Sequence, residues 1–279
     1  MTLHTLLFKM YVELGEGLKI KYYEHGKGNK RHVLFIHGLG ASSLVWRDIP
    51  LALSEQFHTI SVDLIGFGKS DKPTELEYTI RYFSQFIKSF LRQIEIKDNE
   101  KIMIVGHSLG GYIAVEYAIE NNDQIGKLVL IDSSGMLNQP TLLLEQYRSA
   151  ALETDPILRY KKVTRVFEDL LAERSRLIPV YVDIFISTIG EQGAKHAFES
   201  AFKNSTSTQI DLKRLKQIEN IPCLIIWGHN DYLIPSDHAA QFKDILKNSK
   251  VIIVNDAGHS PFAEKTAIVY EKLKTFLME

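Results

Sequence analysis

At 279 residues, 45% of them hydrophobic and 24% charged, the chain is long enough for one large α/β domain or a core carrying an inserted module. Its 33 basic and 34 acidic residues nearly cancel and form no long basic run, which argues against a nucleic-acid or anionic-membrane surface. The lone cysteine, Cys223, excludes an internal disulfide and, inside an apolar run, reads as a buried structural thiol.

No stretch of about 18 uninterrupted apolar residues occurs. Residues 1–14 lack a basic start, a long apolar core and a small-residue cleavage site. The expectation is a cytoplasmic protein without membrane insertion.

Two strand-like stretches, Thr5 to Glu13 and Leu18 to His25, flank Gly15-Glu16-Gly17 and read as a hairpin. After a turn at Gly26 to Lys30, the apolar run His32 to Ile36 reads as a buried strand that opens into His37-Gly38-Leu39-Gly40. A glycine-rich loop at the carboxyl end of a buried strand can bring a backbone N–H close to a ligand. A helix over Leu44 to Ser54 leads to the strand Phe57 to Val62 and then to Asp63-Leu64-Ile65-Gly66-Phe67-Gly68-Lys69-Ser70. Asp63 at that strand end fits a carboxylate that fixes its loop by accepting backbone hydrogen bonds. Ile80, Phe83, Ile87, Leu91 and Ile94 recur at helical spacing across Thr79 to Ile96.

The next strand, Ile102 to Val105, runs into Gly106-His107-Ser108-Leu109-Gly110, and an apolar-rich helix follows over Leu109 to Ile119. Turning from strand to helix in so few residues strains the central residue, which is tolerable only where the positions two before and two after lack bulk. Gly106 and Gly110 supply that space. Ser108 then projects its hydroxyl beside the unbonded N–H groups of the helix start. Lys127 to Ile131 is another buried strand, ending at Asp132. Strands alternating with helices from Val33 onward predict a mostly parallel sheet with helices on both faces and function at the carboxyl ends of the strands.

From Met136 to Gln217 the periodicity is helical: Leu142 to Leu152, Ile157 to Leu171, Ile178 to Ile189, Ala194 to Phe202 and Ile210 to Ile218. Such a block between two strands is expected to form a helical cap (lid), 136–217, inserted after the sixth strand into a core made of 1–135 and 218–279. The sheet resumes at Pro222 to Trp227, followed by Gly228-His229-Asn230-Asp231, and a helix opens near Ser236. A last strand, Lys250 to Val254, leads to Asp256-Ala257-Gly258-His259. Ser260 as N-cap and Pro261 at the first helical position start the final helix, leaving His259 on the loop before it.

A serine hydroxyl is a weak nucleophile near neutral pH; it needs a base to take its proton and a carboxylate to orient that base. Ser108, Asp231 and His259 are those residue types at three strand ends. Asp132 is the rival carboxylate. Among the other imidazoles, His107 is expected to point away from Ser108, His37 to order its own loop, and His229 and His238 to lie behind the site or at the surface. No His, Cys, Asp and Glu cluster has zinc-ligand spacing, so neither a catalytic metal nor a cofactor is expected.

The order Ser, Asp, His together with G-x-S-x-G resembles the α/β-hydrolase fold family, in its serine-nucleophile branch. The resemblance spans nearly the whole chain. It is carried by H-G-L-G at 37–40, D-L-I-G-F-G-K-S at 63–70, G-H-S-L-G-G at 106–111, W-G-H-N-D-Y-L-I-P at 227–235 and D-A-G-H-S-P-F at 256–262. It implies an eight-stranded sheet, Ser108 as nucleophile, His259 as general base and then acid, Asp231 as its orienting partner, and the backbone N–H groups of Leu39 and Leu109 as the oxyanion hole. It further implies a carboxylesterase-like enzyme whose partner is a small to medium, apolar, ester-type substrate, cleaved through an acyl-enzyme.

Serine at the elbow argues against the haloalkane dehalogenases and epoxide hydrolases of this fold, which use aspartate there. The carbon–carbon hydrolases of meta-cleavage products are the alternative, although they are expected to carry asparagine where His107 stands and a bulky aromatic where Ser260 stands. A triad-bearing small-molecule receptor is a third reading.

Overall fold

The computed structural model describes residues 10–15, 17–46 and 48–279. Strand β1 (Met10–Leu14) pairs antiparallel with β2 (Leu18–His25); the predicted extension over 5–9, and Glu16 in the turn, lie outside the described residues. With β3 (His32–Ile36), β4 (His58–Val62), β5 (Ile102–His107), β6 (Ile125–Ile131), β7 (Cys223–Gly228) and β8 (Ser249–Val254) they form one eight-stranded sheet, ordered β1-β2-β4-β3-β5-β6-β7-β8. β2 runs antiparallel to β4, and every pairing from β4 to β8 is parallel.

The strands read as unbroken apolar runs because both faces of the sheet are covered. The two-residue period of a strand divides them: Leu34 and Ile36 face one core, Val33 and Phe35 the other. The first core is closed by Phe83 and Phe90 of α2 (Ile80–Gln93) and Ile113 and Tyr117 of α3 (Leu109–Glu120). The second is closed by Leu53 of α1 (Ile49–Leu53) and by Leu273 and Phe276 near the carboxyl terminus. Each fully buried side chain of this kind contributes roughly 1.5–3 kcal/mol. A core of this size offsets the strain concentrated at the strand ends.

Between β6 and β7 lie only helices: α4 (Leu142–Leu152), α5 (Pro156–Asp169), α6 (Pro179–Ile189), α7 (Ala194–Thr206) and the short α8 (Leu212–Leu215), with 3₁₀ turns. Thr141 and Asp155 begin α4 and α5 by accepting the N–H of Leu144 and Leu158, so the sequence itself sets where these helices start. Tyr147, Phe185 and Phe198 meet with ring centroids 5.2–6.3 Å apart and form the inner packing of this segment. After β7 come α9 (His238–Ile245), then α10 (Pro261–Glu264) and α11 (Thr266–Met278) beyond β8. Among the described residues no helix is long and apolar enough to cross a membrane.

Three predicted helices differ. The one over 44–54 is a 3₁₀ turn, Ser43–Trp46, followed by α1, with Pro50 in its first turn where a missing N–H is harmless. The one over 210–218 shrinks to α8 and a 3₁₀ turn, Lys216–Ile218. The final helix is split because Lys265 (φ −128°) leaves the helical region, and Ser260 makes no side-chain cap bond.

Candidate active site

Ser108 stands between β5 and α3 at φ 54° and ψ −120°, a conformation that costs a non-glycine residue about 1–3 kcal/mol. Its neighbours explain how the turn closes. A Cβ on Gly106 would lie 2.4 Å from the Gly110 carbonyl oxygen, and one on Gly110 would lie 2.2 Å from that of Ile36. The strained peptide is held by Ser108 N–H donating to Ile131 O (3.0 Å) and by Ser134 N–H donating to Ser108 O (3.0 Å).

Asp231 follows β7, and its Oδ2 lies 2.7 Å from Nδ1 of His259, which follows β8; both residues are buried. Asp231 Oδ1 accepts the N–H groups of Leu233 (2.8 Å) and Ile234 (3.0 Å), which aims the carboxylate at the imidazole. With Nδ1–H directed at a carboxylate, Nε2 is left as the proton acceptor. Ser108 and His259 line the same cavity, and no hydrogen bond joins them among the described residues. In free enzymes such bonds commonly tighten only with substrate bound.

The rival carboxylate is placed differently. Asp132 Oδ1 accepts Gly228 N–H (2.9 Å), and Oδ2 is buried without a partner. Burial, reinforced by the charge of Asp231, raises its pKa well above the usual carboxylate range. Donor atoms of Asp132, Asp231 and His259 gather within 4.8 Å of one another, a cluster that spacing along the sequence does not reveal. Within it one Asp231 oxygen faces the imidazole and the other faces two amides.

The loop after β3 carries Leu39. His37 Nδ1 donates to Gly38 O (2.8 Å) and its Nε2 accepts Leu64 N–H (3.0 Å), while Asp63 accepts the N–H groups of Ser43 (2.7 Å) and Lys69 (2.8 Å). Both residues order loops, as their positions predict. A Cβ on Gly38 would lie 3.1 Å from Ser108 Cβ, a tight contact that the absence of a side chain at residue 38 relieves. Among the described residues neither Leu39 N–H nor Leu109 N–H has an acceptor.

Two side chains near the site escape sequence reasoning. Tyr147 of α4 donates its hydroxyl to Leu39 O at 3.0 Å. His107, expected only to point away from Ser108, donates through Nε2 to His259 O at 2.8 Å. Burial, with His259 beside it, depresses its pKa well below the usual imidazole range, so it stays neutral. His229 is exposed and His238 half-buried.

The cavity shared by Ser108 and His259 has a volume of about 270 Å³ and is walled by apolar side chains, among them Leu137, Leu144, Phe167, Phe185 and Leu233. Among the described residues Arg176 is the one guanidinium in its lining, and it pairs with Glu173 at 2.8 Å near the surface.

The profile of the family described as alpha/beta hydrolase fold matches residues 31–266. Lipase 3 of Moraxella sp. (strain TA144) is 28% identical over 266 residues, covering 94% of this chain and 82% of the relative. The 2-hydroxy-6-oxo-6-(2'-aminophenyl)hexa-2,4-dienoic acid hydrolase of Metapseudomonas resinovorans is 25% identical over 257 residues, covering 87% of this chain and 82% of the relative. A solved structure, the 2-hydroxy-6-oxo-6-phenylhexa-2,4-dienoate hydrolase of Rhodococcus sp. strain RHA1, shares the fold with a TM-score of 0.85 at 20% identity, covering 98% of this chain and 99% of that one.

Proposed function

This chain belongs to the α/β hydrolase fold family, and from that premise we propose that it is a serine hydrolase cleaving carboxylic esters of small to medium apolar acyl groups. The observation that carries the reading is convergence on one apolar cavity: the strained Ser108, the Asp231-bonded His259 and the unbonded amides of Leu39 and Leu109. The helical segment 136–217 serves as a cap that supplies most of the apolar wall.

In this mechanism Ser108 Oγ attacks the ester carbonyl carbon as His259 Nε2 takes its proton. The carbonyl π electrons move to oxygen, and the resulting oxyanion receives the N–H groups of Leu39 and Leu109; one such donor is typically worth about 3 kcal/mol. Asp231 stabilises the imidazolium. Collapse of the intermediate breaks the bond to the alkoxide, which takes the proton from His259 and leaves as the alcohol. Water, deprotonated by the same imidazole, then attacks the acyl-enzyme. The acid departs and Ser108 regains its proton.

Similarity to a dienoic acid hydrolase supports carbon–carbon hydrolysis as a second reading. The apolar wall supplied by Leu137, Leu144, Phe167, Phe185 and Leu233 favours the neutral, apolar ester. The test is turnover of p-nitrophenyl acetate through octanoate and of a ring-cleavage product by wild type and Ser108→Ala, with organophosphonate labelling. Absence of ester turnover and of labelling at Ser108 would sink the proposal.

A further inference from the structure

The loop that carries His259 is bonded to the helical segment directly at His259 and indirectly through Glu264 of α10. His259 N–H donates to Leu170 O at 2.9 Å, just beyond α5. One residue earlier, Gly258 N–H donates to Glu264 Oε1 at 2.8 Å, and the other oxygen of the same carboxylate accepts Ala172 N–H at 2.9 Å. Glu264 therefore bridges two backbone N–H groups that belong to different parts of the protein, one on the histidine loop and one on residues 170–172.

The approach is close enough to dictate the residue at 258. A Cβ there would lie 2.2 Å from Leu170 O and 3.0 Å from Ala172 N, and all of its nearest contacts belong to the 170–172 loop. Gly258 does not have a positive φ, so the missing side chain serves this approach rather than an unusual backbone conformation. Two independent features, a bridging carboxylate and an obligatory glycine, thus serve the same docking. Leu170, Leu171 and Glu264 also line the cavity, so substrate entry and the histidine loop share one boundary.

We infer that Glu264 is a positioning residue that clamps the 170–172 loop onto the histidine loop, so that His259 is set for proton transfer only while the helical segment is docked. The inference rests on the serine-hydrolase reading. Displacing residues 136–217 to admit substrate breaks the bonds of His259 N–H and of Glu264 to 170–172, and closure restores them. Proton transfer tolerates little error in the position of its base, since a displacement near 1 Å costs about 10²-fold in rate. The clamp thereby ties catalysis to closure.

The test compares wild type, Glu264→Ala, Glu264→Gln and Gly258→Ala in two ways: kcat and KM with p-nitrophenyl butyrate, and hydrogen exchange over 168–174 and 256–262. Glu264→Ala is expected to lower kcat about 10- to 100-fold while KM changes less than about threefold. Glu264→Gln keeps one carbonyl acceptor and falls between it and wild type. Gly258→Ala leaves Glu264 intact but wedges the two loops apart, and is expected to match Glu264→Ala. In each variant exchange rises in both segments together.

Should kcat stay within about twofold of wild type in folded Gly258→Ala and Glu264→Gln, or should exchange rise in one segment alone, the inference is overturned. Those two variants decide the matter if Glu264→Ala does not fold. Failure of the wild type to turn over any ester defeats the ester-hydrolase reading instead, and coupled exchange still reports whether the clamp exists.

Discussion

Tyr147 of α4 donates its hydroxyl to the carbonyl oxygen of Leu39, 3.0 Å away, from a position that is almost wholly buried. Burial raises the pKa of the phenol above its ordinary value, so it remains a donor. The bond orients the loop whose Leu39 N–H is proposed to receive the oxyanion. A residue of the helical segment thus controls a donor of the core.

Removing that hydroxyl while keeping the ring is a clean test, because a neutral hydrogen bond has a net worth of about 0.5–1.5 kcal/mol. Tyr147→Phe is expected to lower kcat roughly three- to tenfold with little change in KM. Steady-state kinetics on a short ester, alongside a thermal melt close to wild type, check it.

The two buried aspartates are expected to behave oppositely. Asp231→Asn removes the partner of His259 Nδ1 and should cost about 10³- to 10⁴-fold in kcat. Asp132→Asn replaces a carboxyl whose ionisation burial opposes, keeps a carbonyl oxygen for Gly228 N–H, and should leave kcat within about threefold of wild type. The pH dependence follows from the raised pKa of folded Asp132. Its contribution to stability is fully present below the unfolded value of about 4 and is lost as pH rises through the folded one, because the folded state holds the proton more tightly. The melting temperature of Asp132→Asn relative to wild type should therefore climb between pH 4 and 7.

His37 and His107 are buried and neutral, with pKa values depressed chiefly by burial. In the unfolded chain an imidazole takes up a proton near pH 6.5. Their contribution to stability is present above that value and is lost as pH falls toward the folded values. In urea denaturation from pH 7 to 5 the midpoint of wild type should therefore drop relative to that of His107→Gln, the opposite trend from Asp132 being common to both.

Phe167, half-buried on α5, lines the cavity. Phe167→Ala enlarges the apolar wall without opening the sheet core. The preferred acyl chain should lengthen by about two carbons or more, each buried methylene being worth about 0.8 kcal/mol. Ranking kcat/KM from acetate to decanoate tests this, and an unchanged optimum would place the acyl group elsewhere.

The sheet and the elbow were legible because their causes are local. Apolar runs at Val33–Ile36, Ile102–Val105 and Cys223–Trp227, short and followed by glycine-containing turns, read as strands covered on both faces, and both cores take side chains from them. The steric demand at Ser108 is met by residues two positions away on either side. The helices predicted from Leu142 and Ile157 start at Leu142 and Pro156, where Thr141 and Asp155 cap an amide three residues on. The final helix was misjudged at Lys265: a good start at Pro261 does not forecast a break four residues later.

What only the tertiary structure decided are contacts between distant segments. Tyr147 meets Leu39 across 108 residues, His107 meets His259 across 152, and Glu264 joins Ala172 across 92. The differing surroundings of Asp132 and Asp231 belong here too, because both end strands and both are buried, and only the packing around them raises the pKa of one and turns the other toward His259. Periodicity and turn sterics act over a few residues and are written in the sequence. Hydrogen-bond partnership across the sheet's carboxyl ends depends on how whole helices are seated, which no local pattern encodes.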